Sequence, residues 1–260
     1  VTDTHGIILR VRPRKSAAKY ASIWTPEGSP LRVWTEKQTK LLQGFLGESG
    51  HQVLVRHAMR YGEPAIGKAL SALKAEGATR VLLVPLYPQY SGATTASVMD
   101  EVFAWGRSTR LLPELRHINR FHDDAGYLEA LANTVRRHWQ ENGPLGTRGK
   151  LVMSFHGMPR RTLDLGDPYH CECLKTGRLL AERLGLGREQ YVVTFQSRFG
   201  KAKWLEPYTE PTLQALAKAG TERVDVICPG FVSDCIETLE EIAMEGKAAF
   251  LNNNGKVFHY

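Results

Sequence analysis

Short apolar runs alternate along this chain with amphipathic stretches, and that alternation restricts it to a parallel α/β fold. Val81 to Pro85, Leu115 to Ile118, Leu151 to Phe155, Tyr191 to Gln196 and Val224 to Cys228 have the length and composition of buried strands. Between them apolar residues recur at helical spacing, as at positions 34, 41, 42, 45 and 46 of Leu31 to Leu46, which Gly47 ends. The same pattern predicts helices over Ala65 to Glu76, Thr95 to Trp105, Gly126 to Asn142, Cys171 to Leu184, Pro211 to Ala219 and Asp234 to Gly246. Gln52 to Met59 alternates as a further strand. Such an order builds βαβ units whose sheets are covered on both faces.

The two halves of the chain resemble each other. Arg56-His-Ala-Met-Arg-Tyr-Gly62 and Phe195-Gln-Ser-Arg-Phe-Gly200 share a final Arg-aromatic-Gly, 138 positions apart (200 − 62). Leu70 to Arg80 parallels Leu213 to Arg223, and the strands that follow end at Pro85 and Pro229, 144 apart (229 − 85). An internal duplication predicts two similar Rossmann-like lobes, residues 1–146 and 147–260, with a cleft between them. Gly143-Pro-Leu-Gly146 is the linker. In this scheme the strand ending at His156 matches a first strand that the amino-terminal lobe lacks, so the sequence reads as truncated at its front.

Composition narrows the partners. No apolar run approaches the roughly 20 residues needed to cross a bilayer. Four cysteines at spacings that fit neither a disulfide framework nor a metal motif predict reduced thiols in a cytoplasmic protein. The formal charge of +7 suits a polyanion, an anionic membrane surface or an anionic small molecule. No nucleic-acid motif or aromatic-basic platform accompanies it, so no nucleic acid is expected. The basic segment His5 to Tyr20 reads either as a solvated surface or as an edge meeting a membrane or an acidic ligand.

Three groups of residues carry chemistry. His156 ends the run Lys150-Leu-Val-Met-Ser-Phe-His156, at the carboxyl end of a parallel strand where ligand crevices form. A histidine after a strand is more often structural than reactive, and its neighbours decide. Ser233-Asp-Cys-Ile-Glu-Thr-Leu-Glu-Glu-Ile-Ala-Met-Glu245 places Glu237, Glu241 and Glu245 at i, i+4 and i+8, a carboxylate row about 12 Å long on a regular helix. It is either a solvated stripe or a set of oxygen ligands, and no lysine or arginine on that helix pairs with it; Asp234 suits the helix cap. Tyr87-Pro-Gln-Tyr90-Ser91 offers two aromatic hydroxyls at a strand end, suited to wall a flat apolar ligand.

Tyr87-Pro-Gln-Tyr-Ser91 with Thr94-Thr95, Ser154-Phe-His-Gly-Met-Pro159, Gly166-Asp-Pro-Tyr169, Phe195-Gln-Ser-Arg-Phe-Gly200 and Phe231 to Glu241 together resemble the ferrochelatases, from about His5 to Tyr260. The resemblance implies the chelatase fold and insertion of Fe2+ into protoporphyrin IX, with release of two protons, as the terminal step of haem synthesis. It makes His156 and Glu237 the catalytic and metal-contacting pair, and Asp234, Glu241 and Glu245 an acidic metal or proton track. Arg10, Arg12 and Ser29 fall at propionate positions, with Tyr20, Tyr87, Tyr90 and Ser91 on the pocket wall. The neighbourhoods of Trp24 and Asp167-Pro-Tyr-His-Cys-Glu-Cys173 resemble the proteobacterial branch, favouring protoporphyrin over coproporphyrin. Iron is then a substrate, no cofactor is tightly bound, and no iron–sulfur cluster is expected. A monomer or homodimer with peripheral contact to the inner membrane is implied. The alternatives are a cobalt chelatase of another tetrapyrrole pathway and a non-catalytic tetrapyrrole or metal binder. Relatives in this family normally carry a first strand ending in Asn-Leu-Gly-Thr-Pro and a last long helix, neither of which the sequence contains.

Overall fold

The computed structural model describes residues 9–260, with side chains from Ser16 onward. Its first half carries helices α1 (Leu9–Ile23), α2 (Pro30–Glu48) and α3 (Ile66–Ala75), strand β1 (Arg80–Leu83), helix α4 (Ser97–Ser108) and strand β2 (Glu114–His117). A π-helical turn, Gly92–Ala96, opens α4. There follow α5 (Ala125–Asn142), β3 (Gly149–His156), α6 (Arg160–Asp164), α7 (Tyr169–Arg183), β4 (Tyr191–Gln196), α8 (Thr209–Lys218) and β5 (Arg223–Ile227). The chain closes with α9 (Ile236–Leu239), a π-helical segment Glu241–Gly246, α10 (Lys247–Leu251) and β6 (Val257–His259). All strand pairs in the two sheets are parallel: β1-β2 in one, β4-β3-β5-β6 in the other.

Strand β3 is the axis of the larger sheet, paired on both edges and buried on both faces. Its period of two sends Leu151, Met153 and Phe155 into a core with Leu128, Ala132 and Val135 of α5 and Cys173 and Leu180 of α7. Val152 points the other way, against Leu213 and Ala217 of α8 and Phe250 of α10. Hence the unbroken apolar run in the sequence. Helix α5 precedes the expected 146/147 division, yet its buried face packs on β3. Helix α7 lies close on β4 because Gly177 has no side chain; a Cβ there would come within 2.4 Å of Val193 Cγ2.

The duplication holds in backbone detail. Helices α3 and α8 begin 143 positions apart (209 − 66), as do the first residues of β1 and β5 (223 − 80) and of β2 and β6 (257 − 114). Met59 N–H donates to Pro64 O at 2.8 Å, and Phe195 N–H donates to Pro207 O at 2.8 Å. Gly77 and Gly220 take φ of 89° and 91° after their helices, the left-handed conformation that a glycine adopts without penalty.

Two expectations change, and the basic segment gains a secondary structure. Gln52 to Met59 forms no strand: among the described residues nothing pairs with it but an isolated bridge from Met59 to Ala65. The Gln43 side chain instead satisfies its backbone, donating to Val53 O and accepting from Val55 N–H, both at 2.8 Å. The basic segment is helical over Leu9–Ile23, with His5 to Ile8 outside the described residues. The helix expected over Asp234 to Gly246 starts at Ile236 and passes into π geometry at Glu241.

Candidate active site

His156 stands at the carboxyl end of β3, half-buried, paired in register with Gln196 of β4. Gly157 N–H donates to Gln196 O at 2.8 Å. No side chain fits at that turn, since a Cβ on Gly157 would lie 2.5 Å from the Gln196 carbonyl oxygen and 3.1 Å from the Trp204 ring. The Tyr169 hydroxyl donates to His156 O at 3.0 Å, fixing the peptide from the other side. His156 Nδ1 lies 2.6 Å from Gly157 O. A carbonyl only accepts, so in this arrangement Nδ1 carries a proton, and the neutral imidazole then has its lone pair on Nε2.

Gln196 also draws in the acidic segment, donating from Nε2 to Glu237 O at 2.6 Å. Gln196 thus meets both segments, its backbone paired with the His156 strand end and its side chain on the Glu237 carbonyl, although the two are 81 positions apart (237 − 156). Tyr20 of α1 completes this corner: burial first, and the Glu237 charge second, push its phenol above the ordinary value. Burial and the same carboxylate push the Cys235 thiol up as well.

The remaining acids do not form a free row. In the π-helical segment Glu245 N–H bonds Glu240 O at 3.0 Å, an i→i+5 step that stacks Glu245 over Glu240 and not over Glu241. Lys19 of α1 then bridges the two at 2.9 and 2.8 Å. Glu241 is turned toward β4, where it accepts from Ser197 N–H at 2.6 Å and Ser197 Oγ at 2.5 Å. Asp234 accepts from Thr238 Oγ1 at 2.9 Å and from the Tyr260 hydroxyl at 2.7 Å. Among the described residues neither Asp234 nor Glu237 has an ion pair or a backbone donor, and Asp234 is held by the two hydroxyls while Glu237 neighbours the Cys235 thiol. Glu240 and Lys19 were not legible as site residues in the sequence: the extra residue per turn hides the first, and 221 positions separate the second from its partner.

Tyr87 to Ser91 is clamped against the start of α7. Gln89 Nε2 donates to Thr176 Oγ1 at 3.0 Å and Tyr90 N–H to Glu172 Oε2 at 2.7 Å. Ser91 Oγ and Gly92 N–H donate to Asp167 Oδ2 at 2.9 and 2.8 Å. Asp167 and Glu172, within and just after the Gly166-Asp-Pro-Tyr169 motif, are therefore the anchors of this wall. Glu172 is buried, with Arg120 at 2.5 Å as its counter-charge, and Arg120 also lies over the Tyr90 ring at 5.6 Å. Tyr87 and Tyr90 are half-buried, and burial raises the Tyr87 phenol. Ser91 is fully buried with its hydroxyl occupied. Ser29 caps α2, accepting from Arg32 N–H at 3.4 Å. Arg10 and Arg12 lie outside the residues whose side chains are described.

Comparison with known proteins bears on this arrangement. A family model described as Ferrochelatase matches residues 2–260. A ferrochelatase of Polaromonas sp. is 67% identical over 256 residues, 98% of this chain and 69% of that protein. Those of Methylibium petroleiphilum and Dechloromonas aromatica are 67% and 62% identical, each over 98% of this chain and 70% of theirs. Among solved structures, SirB from Bacillus subtilis with Fe3+ superposes with a TM-score of 0.57 at 16% identity, covering 86% of this chain and 81% of its own. The sirohydrochlorin chelatase SirB from Bacillus subtilis subspecies spizizenii, in complex with cobalt, gives 0.52 at 14% identity, over 86% and 82%. At such identities the likeness is one of fold, the chelatase fold.

Proposed function

This chain belongs to the ferrochelatase family, and from that premise we propose that its cleft inserts Fe2+ into protoporphyrin IX as a lyase, releasing two protons. The observation that carries the reading is Gln196, which holds the His156 strand end and the Glu237 helix on either side of itself. Metallation replaces two pyrrole N–H bonds by metal–nitrogen bonds. His156 Nε2 is the acceptor for a pyrrole proton, and the Glu237 carboxylate receives the incoming ion and the second proton. Tyr20, Tyr87 and Tyr90 give the macrocycle aromatic walls, and Arg10, Arg12 and Ser29 are the residues assigned to its propionates. Iron is substrate. No iron–sulfur cluster is proposed, the four cysteines standing at spacings that fit no cluster motif.

No helix among the described residues is long and apolar enough to cross a membrane. We place the protein in the cytoplasm, with peripheral membrane contact at the basic edge of α1. The cobalt-chelatase alternative is not favoured by the family. An anaerobic assay mixing protein, protoporphyrin and Fe2+ tests the reading through the absorbance change on metallation. His156→Ala and Glu237→Gln should each lower turnover by at least about 100-fold with circular dichroism unchanged. Near-normal turnover in either folded variant overturns its assigned role, and porphyrin binding without turnover by the parent overturns the activity.

A further inference from the structure

At the other end of the larger sheet, α5, β5 and β6 bring His138, Asp225 and His259 together. Asp225 is paired in register with Leu151 on one side and His259 on the other. It therefore lies five positions short of His156 (156 − 151), about 16 Å along a strand, too far to share a ligand with it. The ligand atoms of the three residues all lie within 4.8 Å of one another. His259 Nδ1 is 2.9 Å and His138 Nε2 3.9 Å from Asp225 Oδ1, and the two imidazole rings are 4.7 Å apart.

We propose that His138, Asp225 and His259 form a second divalent transition-metal site, separate from the His156–Glu237 pair. A tetrahedral ion with metal–ligand bonds near 2.0–2.1 Å sets neighbouring ligand atoms about 3.3 Å apart. The 2.9 and 3.9 Å separations straddle that value, so small side-chain rotations complete the geometry. Two imidazoles and a carboxylate suit Zn2+, Co2+, Ni2+ or Fe2+, not Mg2+ or Ca2+. A water from the adjoining cavity of about 400 Å³, which reaches Asp234 and Tyr260, supplies the fourth ligand.

The pivotal observation is His138 Nε2, a buried polar atom with no hydrogen-bond partner. Ordinary ion pairing explains Asp225, which receives Arg223 Nε and Nη2 at 2.8 and 2.9 Å and the Trp139 indole at 2.7 Å. It explains His259 too, and leaves His138 Nε2 without a hydrogen bond, 3.9 Å from Asp225 Oδ1. Beside a bound metal the same contacts orient the carboxylate. Ligation at His259 Nδ1 leaves the ring's one proton on Nε2, and the Asp225 carboxylate offsets one of the ion's two charges. Asn142, 3.2 Å from His138 Nδ1, can turn its amide oxygen there and leave the Nε2 lone pair to the metal.

The test is a Zn2+ competition titration of the chelator-stripped full chain against a chromophoric chelator. It is run on the parent, on His156→Ala/Glu237→Gln, and on that double variant carrying His138→Gln or His259→Gln. One Zn2+ equivalent should persist when His156 and Glu237 are replaced, and each added histidine change should weaken it at least about tenfold. Visible bands of four-coordinate Co2+ in His156→Ala/Glu237→Gln read the same site with its three ligands untouched. Absence of that equivalent and of those bands, or a loss under tenfold in both folded histidine variants, overturns the proposal.

Discussion

His122 shows how burial acts on a single titratable group here. Burial is the largest influence on its imidazole and holds it below the ordinary value of 6.5. Glu172 and Asp123 pull it upward, Lys175 and Arg120 downward. With the folded-state pKa depressed, the unfolded chain binds the proton first as pH falls. The stability contributed by neutral His122 is complete above the unfolded value and drains away as pH drops below about 6.5 toward the folded value. His170, also lowered chiefly by burial, acts in the same sense. Thermal unfolding followed from neutral pH downward should therefore show a shallower loss of Tm in His122→Leu than in the parent; equal slopes would remove His122 from the account. His156 and Glu237 were legible in the sequence because each sits in a local motif. Gln196 as their common neighbour was not, since the contact depends on the register of β4 against β3 and spans 41 positions to Glu237.

Among the elements, β3 and its exit turn tolerate least. Gly157→Ala drives a methyl into the Gln196 carbonyl, which the β3–β4 ladder holds in place. Overpacking of this kind should lower stability by about 1–3 kcal/mol in urea unfolding, with turnover falling further because His156 moves with its peptide. Gly47→Ala, inside α2 with nothing within 4 Å, is the control expected to raise stability by about 0.5–1 kcal/mol and leave turnover unchanged. Strand and helix positions were readable wherever an apolar face meets a partner, as in β4, whose expected and observed limits coincide. Reading failed where the partner decides. Gln52 to Met59 alternates like a strand but has no ladder beside it, and the acidic segment follows helical spacing only until the π turn shifts every later side chain. A spacing rule of 3.6 residues per turn carries no signal of that change.

For the molecule as a whole, the contacts between the first half and α7 decide how firmly the tyrosine wall stands. Gln89–Thr176, Tyr90–Glu172 and Ser91–Asp167 are the joints, and Glu172 is the buried charge among them. Glu172→Gln weakens the hydrogen bonds to Tyr90 N–H and Arg120, and Arg120 is solvent-accessible enough to limit the damage. A loss of about 2 kcal/mol in urea unfolding is expected, with a rise in KM for the porphyrin larger than any fall in kcat; an unchanged KM would detach the wall from binding. The 143-residue correspondence has an experimental use of its own. Because α3, β1 and β2 repeat the backbone of α8, β5 and β6 without His156 or Glu237 beside them, each substitution in α8, β5 or β6 has a sibling position 143 residues earlier. The chain carries its own matched control, so an effect seen at both siblings belongs to the shared scaffold and an effect seen at one belongs to the chemistry.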